Sequence, residues 1–211
     1  MLRCVLFIPP AQETLPSIAG ASRNKAVCKP DLISEMQTDV NSNLIELNVA
    51  WLRQVSVLVD ELDDEIFATT PQGLAPHRVG SHLRHVLEFY ECFLDGFESR
   101  RVDYDSRKRN EAIERNRHSA LAGIRSIISR LQSIPTKWTQ DVLAVRVEDG
   151  EADVWLASSI GRELQALSSH TIHHFALIAV TLRAHGVQMD ADFGMAPSTL
   201  RHLAAKTAEA A

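Results

Sequence analysis

The chain has 211 residues, 45% of them apolar, and a formal net charge of −5 at pH 7. That length and apolar content suffice for one domain with a buried core, whereas the acidic balance argues against the clustered surplus of basic side chains that nucleic-acid binding requires. No apolar run approaches the length of a membrane-spanning helix, and three scattered cysteines are too few for a disulfide framework. We therefore expect a cytoplasmic protein with neither a nucleic-acid nor a membrane partner.

The N-terminal segment is rich in residues that interrupt regular structure. They are Pro9, Pro10, Pro16, Gly20 and Pro30. This composition predicts an arm over residues 1–35 that lies outside the folded core. We place the folded domain at residues 36–200 and a C-terminal tail at residues 201–211.

The first three helices follow from apolar residues that recur every three or four positions, the spacing that places them on one helical face. From Val40 to Leu62 this spacing predicts a first helix of about six turns. A turn follows around Pro71 and Gly73. The pattern resumes and predicts two further helices, over residues 79–98 and 111–131.

The chain between these helices and after them is less regular. Residues 100–110 are polar and predict a crossover loop, whose Tyr104 and Arg107 we interpret as surface residues, with a pocket border as the alternative.

Valines on both sides of an acidic, glycine-containing turn predict a short hairpin between residues 139 and 155. Ser158 or Ser159 can cap the next helix, which Gly186 would close after about residue 185. Four long helices with one long crossover predict an all-α four-helix bundle with a short hairpin insert before the last long helix.

Histidines are concentrated on two of these helices. His170 and His174 are four residues apart, which places both imidazoles on one face of the last long helix, while His173 lies about 60° to the side. A third imidazole can come from His82 or His85 on the second helix, and the apolar side of that helix lies nearer His82. Three imidazoles with an open position are typical of a catalytic metal site. A histidine held in the core by a hydrogen bond is the alternative interpretation.

Two other metal patterns are absent from the sequence. It contains no Glu-x-x-His, which the di-iron carboxylate bundles require, and no His-Glu-x-x-His, which the zincin metalloproteases require. Glu163 falls on the same face as His170, about two turns earlier. It is a candidate catalytic base, and a solvated first-turn acid is the alternative. We interpret Cys92 as an inert core thiol.

The combination of Gly80-Ser81-His82-Leu83-Arg84-His85 with Arg162-Glu163-Leu164 and His170-Thr171-Ile172-His173-His174 resembles the DinB-like superfamily, which includes relatives of bacillithiol transferases and mycothiol-dependent isomerases. The resemblance covers roughly residues 39–199. It implies a left-handed four-helix bundle, often a homodimer, with a divalent metal held by one histidine of the second helix and an H-x-x-x-H pair.

Carried onto this sequence, the resemblance selects His85, His170 and His174 as metal ligands, whereas the helical wheel favours His82 over His85. His173 leaves an H-x-x-H pair open as an alternative. We expect zinc or nickel, with iron as a further option. The implied function is that of a metal-dependent thiol-S-transferase acting on a small thiol and an electrophilic substrate. The alternatives are a metal-dependent hydrolase and a non-catalytic metal-binding or dimeric interaction module.

Overall fold

The computed structural model describes residues 30–135, 141–148, 153–190 and 192–209, with side chains from residue 43 onward except that of Pro197. The described chain is mostly helical and contains one small sheet. In chain order its elements are α1 (Pro30–Glu61), α2 (Asp64–Ala68), α3 (Val79–Gly96), β1 (Arg101–Val102), α4 (Glu111–Arg115), α5 (Arg117–Gln132), β2 (Val142–Arg146), β3 (Trp155–Ser159), α6 (Ile160–Ala184) and α7 (Pro197–Glu209).

The four longest helices form the core. α1 packs against α5 and α6, and α3 packs against the same two helices. Their apolar faces meet in one cluster of buried side chains, which includes Leu52, Leu83, Ile124 and Phe175. The expectation of a mainly helical fold is therefore confirmed.

Several predicted boundaries agree with the structure. α3 begins at Val79, as expected. α6 begins after Ser159, whose side chain accepts a hydrogen bond from the backbone N–H of Arg162, so that of the two candidate caps Ser159 is the one used. α6 ends at Ala184, two residues before Gly186, which adopts a φ of 78° that suits glycine at a helix end.

Other boundaries differ. α1 begins at Pro30, so the last six residues of the predicted arm are helical, while residues 1–29 lie outside the described residues. The helix predicted over 111–131 is divided at Asn116, where the backbone is extended and the side chain caps α5 through the N–H of Ser119. Residues 201–209 of the predicted tail belong to α7, which is exposed along most of its length, and residues 210–211 lie outside the described residues.

The sheet is larger than the predicted hairpin, so the all-α expectation is incomplete. β2 and β3 pair in an antiparallel manner, with Val145 opposite Leu156, which confirms the predicted pairing, but β3 covers Trp155–Ser159 and so lies beyond the predicted limit at residue 155. β1, which lies in the predicted crossover loop, adds a third strand parallel to β2. Residues 149–152 of the expected turn lie outside the described residues. Among the described helices, none combines the length and the apolar character needed to span a membrane.

Gly80 explains how α4 comes close to the start of α3. A Cβ atom at this position would collide with the backbone carbonyl of Glu114. The missing side chain lets α4 pack directly on the first turn of α3. Around this contact Arg78 and Arg84 form ion pairs with Glu114. These contacts fix the N-terminal half of α3, which carries His82 and His85.

Candidate metal centre

The candidate centre lies between α3 and α6, which pack side by side. His85 is on α3, and His170 and His174 are one turn apart on α6. The four-residue spacing places the two α6 imidazoles on the same face, opposite α3. Each of the three side chains is at least partly buried.

The three imidazoles converge. One nitrogen from each of His85, His170 and His174 can be chosen so that all three atoms lie within 4.8 Å of one another. The ring centroids are 5.0 Å apart for His85 and His170, 4.7 Å for His85 and His174, and 4.6 Å for His170 and His174. The structure thus brings together the three residues that the family resemblance selects.

The chemistry of the three side chains suits a metal ion. Burial, with a smaller effect of neighbouring imidazoles, lowers the pKa of His170 to about 4 and that of His174 to about 3, and burial also lowers the pKa of His85. All three are therefore neutral at pH 7 and keep a lone pair for a ligand. The buried Nδ1 atom of His170 has no hydrogen-bond partner. A buried polar atom without a partner is costly, and an ion at this position would remove that cost.

His82, which the helical wheel favours, does not belong to this group. It is 7% exposed, and its Nδ1 lies 3.2 Å from Nδ1 of His174. Its Nε2 lies 3.1 Å from Nδ1 of His77, in the exposed turn before α3. Each contact needs one donor and one acceptor. If Nδ1–H of His174 donates to His82, then Nε2 of His174 is left with its lone pair, and His82 can donate in turn to His77.

His173, the basis of the alternative H-x-x-H pair, is exposed. Its ring meets that of His174 at 5.2 Å, edge to face. It is not part of the converging group formed by the described residues. The spacing of four, rather than three, is the one that brings two α6 imidazoles to His85.

An aromatic wall borders the group on one side. The ring of Phe89 stacks on His170 at 4.1 Å, and the buried ring of Tyr104 stacks on Phe89 at 5.1 Å. The Arg107 guanidinium lies over the Phe89 ring, 5.0 Å from its centroid, and donates a hydrogen bond of 2.7 Å to the Tyr104 carbonyl. The surface interpretation is therefore wrong for Tyr104, which is 7% exposed. Phe89 is four residues from His85, so helical spacing alone could have identified it.

Glu163, the candidate catalytic base, is 7% exposed and is not a solvated acid. Its Oε2 accepts a hydrogen bond of 2.8 Å from the Tyr104 hydroxyl, and its Oε1 accepts one from Ser158. Burial and the neighbouring Glu163 carboxylate raise the pKa of Tyr104, which keeps this phenol protonated. Ser158 and Tyr104 were not assigned to Glu163 from the sequence, because both approach it from outside its helix. A catalytic role for Glu163 stays a prediction.

Cys92 lies away from the histidines. It is buried, and burial raises the pKa of its thiol, which agrees with an inert thiol. It lines a cleft of about 250 Å³ together with Glu91, Asp95 and Lys108. None of the histidines lines this cleft. Asp95 of this cleft is paired with Lys108 and Arg130.

Comparisons with known proteins assign no family to the chain. No family model matches it. Part of the chain is similar to a protein described as FK506-binding protein 5 from Rhizopus delemar, with 34% identity over 106 residues. That alignment covers 48% of this chain and only 27% of the relative. The DinB-like resemblance therefore stays a prediction that depends on the histidine motifs.

Proposed function

We propose that this chain is a metal-dependent enzyme of the thiol-S-transferase type, related to the DinB-like superfamily, with His85, His170 and His174 as its metal ligands. The observation that carries the proposal is the convergence of three neutral imidazoles within 4.8 Å. Zinc and nickel, and also iron, accept such nitrogen ligands. Three protein ligands leave positions open for a substrate, which is typical of catalytic rather than structural sites.

The proposed fold is the left-handed four-helix bundle of that superfamily, formed by α1, α3, α5 and α6. Support comes from the packing of α1 and α3 on the same two partners, α5 and α6. Metal sites in helical bundles are built from side chains on facing helices. Here the facing helices are α3 and α6. A homodimer belongs to the same proposal and follows from the resemblance alone.

The reaction joins a small thiol to an electrophile. A bound divalent ion would supply Lewis-acid chemistry, which lowers the pKa of a thiol or a water molecule. The thiol loses its proton, its sulfur forms a bond to the electrophilic carbon, and the leaving group departs with the electron pair of its own bond. Phe89 and Tyr104 form an apolar wall that excludes water from one side of the triad. Glu163 is proposed as the group that accepts the thiol's proton.

The hydrogen-bond partner of His174 supports its proposed role as a metal ligand. A ligating histidine usually donates its second N–H to a hydrogen-bond acceptor, which fixes the ring and the tautomer. His174 has such a partner in His82, at 3.2 Å. The partner is itself held by His77. A core-packing role for His174 explains this contact too, but it does not explain why Nδ1 of His170 is buried without a partner.

The test is a conjugation assay with a small thiol and monobromobimane as the electrophile, in protein loaded with zinc or nickel. We expect loaded wild type to accelerate the reaction over the uncatalysed rate, and chelator-treated protein and His174→Ala to lose that acceleration. Para-nitrophenyl acetate, assayed in parallel, reports hydrolysis. Hydrolysis without conjugation would replace the transferase proposal by the hydrolase alternative. Metal binding without either activity would favour the non-catalytic module.

A further inference from the structure

Arg107 is partly buried and has no carboxylate partner among the described residues. Other arginines around α3 form ion pairs: Arg84 with Glu88 and Glu114, Arg130 with Asp95, and Arg146 with Asp103. Within the described ranges, Arg107 forms none, although it is partly buried. A partly buried guanidinium that is not paired gives up hydration without compensation from an anion. This is the arrangement expected of a residue whose partner is a ligand.

The carboxylates of Asp103 and Glu163 have other partners, and that of Asp105 forms no ion pair with Arg107 among the described contacts. Asp103, in the same loop, is paired with Arg146. Glu163 accepts hydrogen bonds from Tyr104 and Ser158. Asp105 is exposed, and the described contacts include no ion pair between it and Arg107. Within the described structure, none of these carboxylates therefore balances the charge of Arg107.

The guanidinium is held in place beside the histidines. One of its nitrogens donates to the Tyr104 carbonyl at 2.7 Å, and its Cζ atom lies over the Phe89 ring, 5.0 Å from the centroid. Phe89 also stacks on His170 at 4.1 Å, so the cation and a proposed ligand contact the same aromatic ring. An arginine has five N–H donors, and the hydrogen bond to Tyr104 uses one of them.

The electrostatic effect of Arg107 reaches the triad. Burial is the main cause that lowers the pKa values of His85 and His170, and the positive charge of Arg107 is a smaller cause in both. A cation that acts on two of the three imidazoles also acts on anything bound beside them. Its remaining donors suit a carboxylate, which an arginine can bind through two parallel hydrogen bonds.

We propose that Arg107 is an anion-binding residue of the metal centre and that it binds a carboxylate of the thiol substrate. The substrate class is then a small thiol that carries a carboxylate, rather than a neutral thiol. This inference rests on the proposed function, because it needs a thiol at the triad. It adds that the sulfur faces the histidines while the carboxylate lies on the side of Phe89 and Arg107.

The test compares two thiols that differ in charge. Full-length protein loaded with cobalt(II), a spectroscopic substitute for zinc, is titrated with 3-mercaptopropionate and with 2-mercaptoethanol. The readout is the near-ultraviolet absorbance that accompanies binding of sulfur to cobalt. We expect wild type to bind 3-mercaptopropionate about tenfold more tightly or better, as a hydrogen-bonded ion pair predicts.

Two variants separate a specific contact from a general effect of charge. Arg107→Gln should abolish the preference for 3-mercaptopropionate and should still bind cobalt and 2-mercaptoethanol, which also shows that the variant is folded. Arg109→Gln removes the same charge from an exposed position in the same loop and should keep the preference.

The outcomes distinguish the two proposals. If cobalt and both thiols bind but the preference is absent in wild type or persists in Arg107→Gln, the anion-binding role is wrong and the metal centre stands. If Arg109→Gln loses the preference to the same extent, the preference depends on the overall charge of the loop, and the anion-binding role of Arg107 is also wrong. If wild type does not bind cobalt, the proposed function fails, and the substrate assignment fails with it.

Discussion

Two polar clusters lie between the same helices, and they differ in how fully they are hydrogen-bonded. In the first, the Tyr90 hydroxyl on α3 donates to Oδ1 of Asn48 at 2.6 Å and lies 3.0 Å from Oγ1 of Thr171. Nδ2 of Asn48 donates to the carbonyls of Leu44 and Leu164. In the second, the imidazoles of His85, His170 and His174 converge, and Nδ1 of His170 is buried without a partner.

The difference separates a structural polar cluster from a candidate site. Asn48 is fully buried and uses its carbonyl oxygen and both of its amide hydrogens, so its cluster is complete without a ligand. Thr171 of this complete cluster is adjacent in sequence to His170 of the incomplete one. A buried nitrogen that lacks a partner beside a complete cluster calls for an explanation, and a bound ion supplies one.

Removal of a triad member should have the largest effect on metal binding. His170→Ala is expected to reduce zinc affinity by more than the roughly 10–100-fold that loss of a supporting hydrogen-bond partner costs, because it removes a ligand itself. The matched control is His173→Ala, an exposed neighbour on the same helix. Zinc competition with a chromogenic chelator measures both. Equal losses in the two variants would favour the H-x-x-H pair over the assigned ligands.

Acid should destabilise the metal-free protein. The pKa values of His82 and His170 are lowered to about 4 and that of His174 to about 3, mainly by burial, from an ordinary value of 6.5. Below pH 7 the unfolded chain therefore binds more protons than the folded one. The free energy of unfolding should be highest above about pH 7 and should fall as the pH drops through 6.5 towards 4.

Urea unfolding of chelator-treated protein at several pH values measures this dependence. His82→Leu removes one of the imidazoles and should make the dependence shallower. A free energy of unfolding that is constant between pH 7 and pH 4 would contradict the assignment of these histidines as neutral buried groups.

Loss of the partner of His174 should have an intermediate effect on metal binding. His82→Leu removes the imidazole at 3.2 Å and leaves a side chain that suits a buried position. We expect zinc affinity to fall about 10–100-fold, because the ring of His174 is no longer held in one orientation. The stoichiometry should stay unchanged, since the three ligands remain. Complete loss of zinc would instead make His82 a ligand, as the helical wheel suggested.

A substitution in the complete cluster of Asn48, Tyr90 and Thr171 should lower the free energy of unfolding and leave metal binding unchanged. Tyr90→Phe removes one hydroxyl and leaves Oδ1 of Asn48 without its donor, which should cost about 1–3 kcal/mol in the free energy of unfolding. Zinc affinity should be that of wild type. Thr181→Val is the control, because the Thr181 hydroxyl donates only to the carbonyl of Leu177 in its own helix, and it should cost less. Reduced zinc affinity in Tyr90→Phe would show that the two clusters are not independent.

The sequence predicts well what depends on local spacing. The H-x-x-x-H spacing places His170 and His174 on one face, and residue type limits the cap of α6 to Ser158 or Ser159, of which the structure uses Ser159. Selection of His85 over His82 required the resemblance, because the helical wheel favours His82 and cannot show the contact of His82 with His77.

What the sequence could not predict depends on residues that are distant in the chain. β1 forms only because Arg101 and Val102 pair with β2, which lies beyond α4 and α5. The burial of Glu163 depends on Tyr104, which approaches it from the loop after α3. Neither contact leaves a periodic pattern. Asn116 is the exception, since a residue that favours helix caps in the middle of a predicted helix indicated a possible break.

The central claim is that three histidines hold one divalent ion, and elemental analysis by mass spectrometry tests it most directly. The protein is purified without chelator and without metal-affinity resin, in wild-type form and as His174→Ala. We predict about one equivalent of zinc, nickel or iron in wild type and its loss in a variant of unchanged helical content. A wild-type protein that binds no metal even after excess is added would contradict the claim and would make the three histidines part of the core.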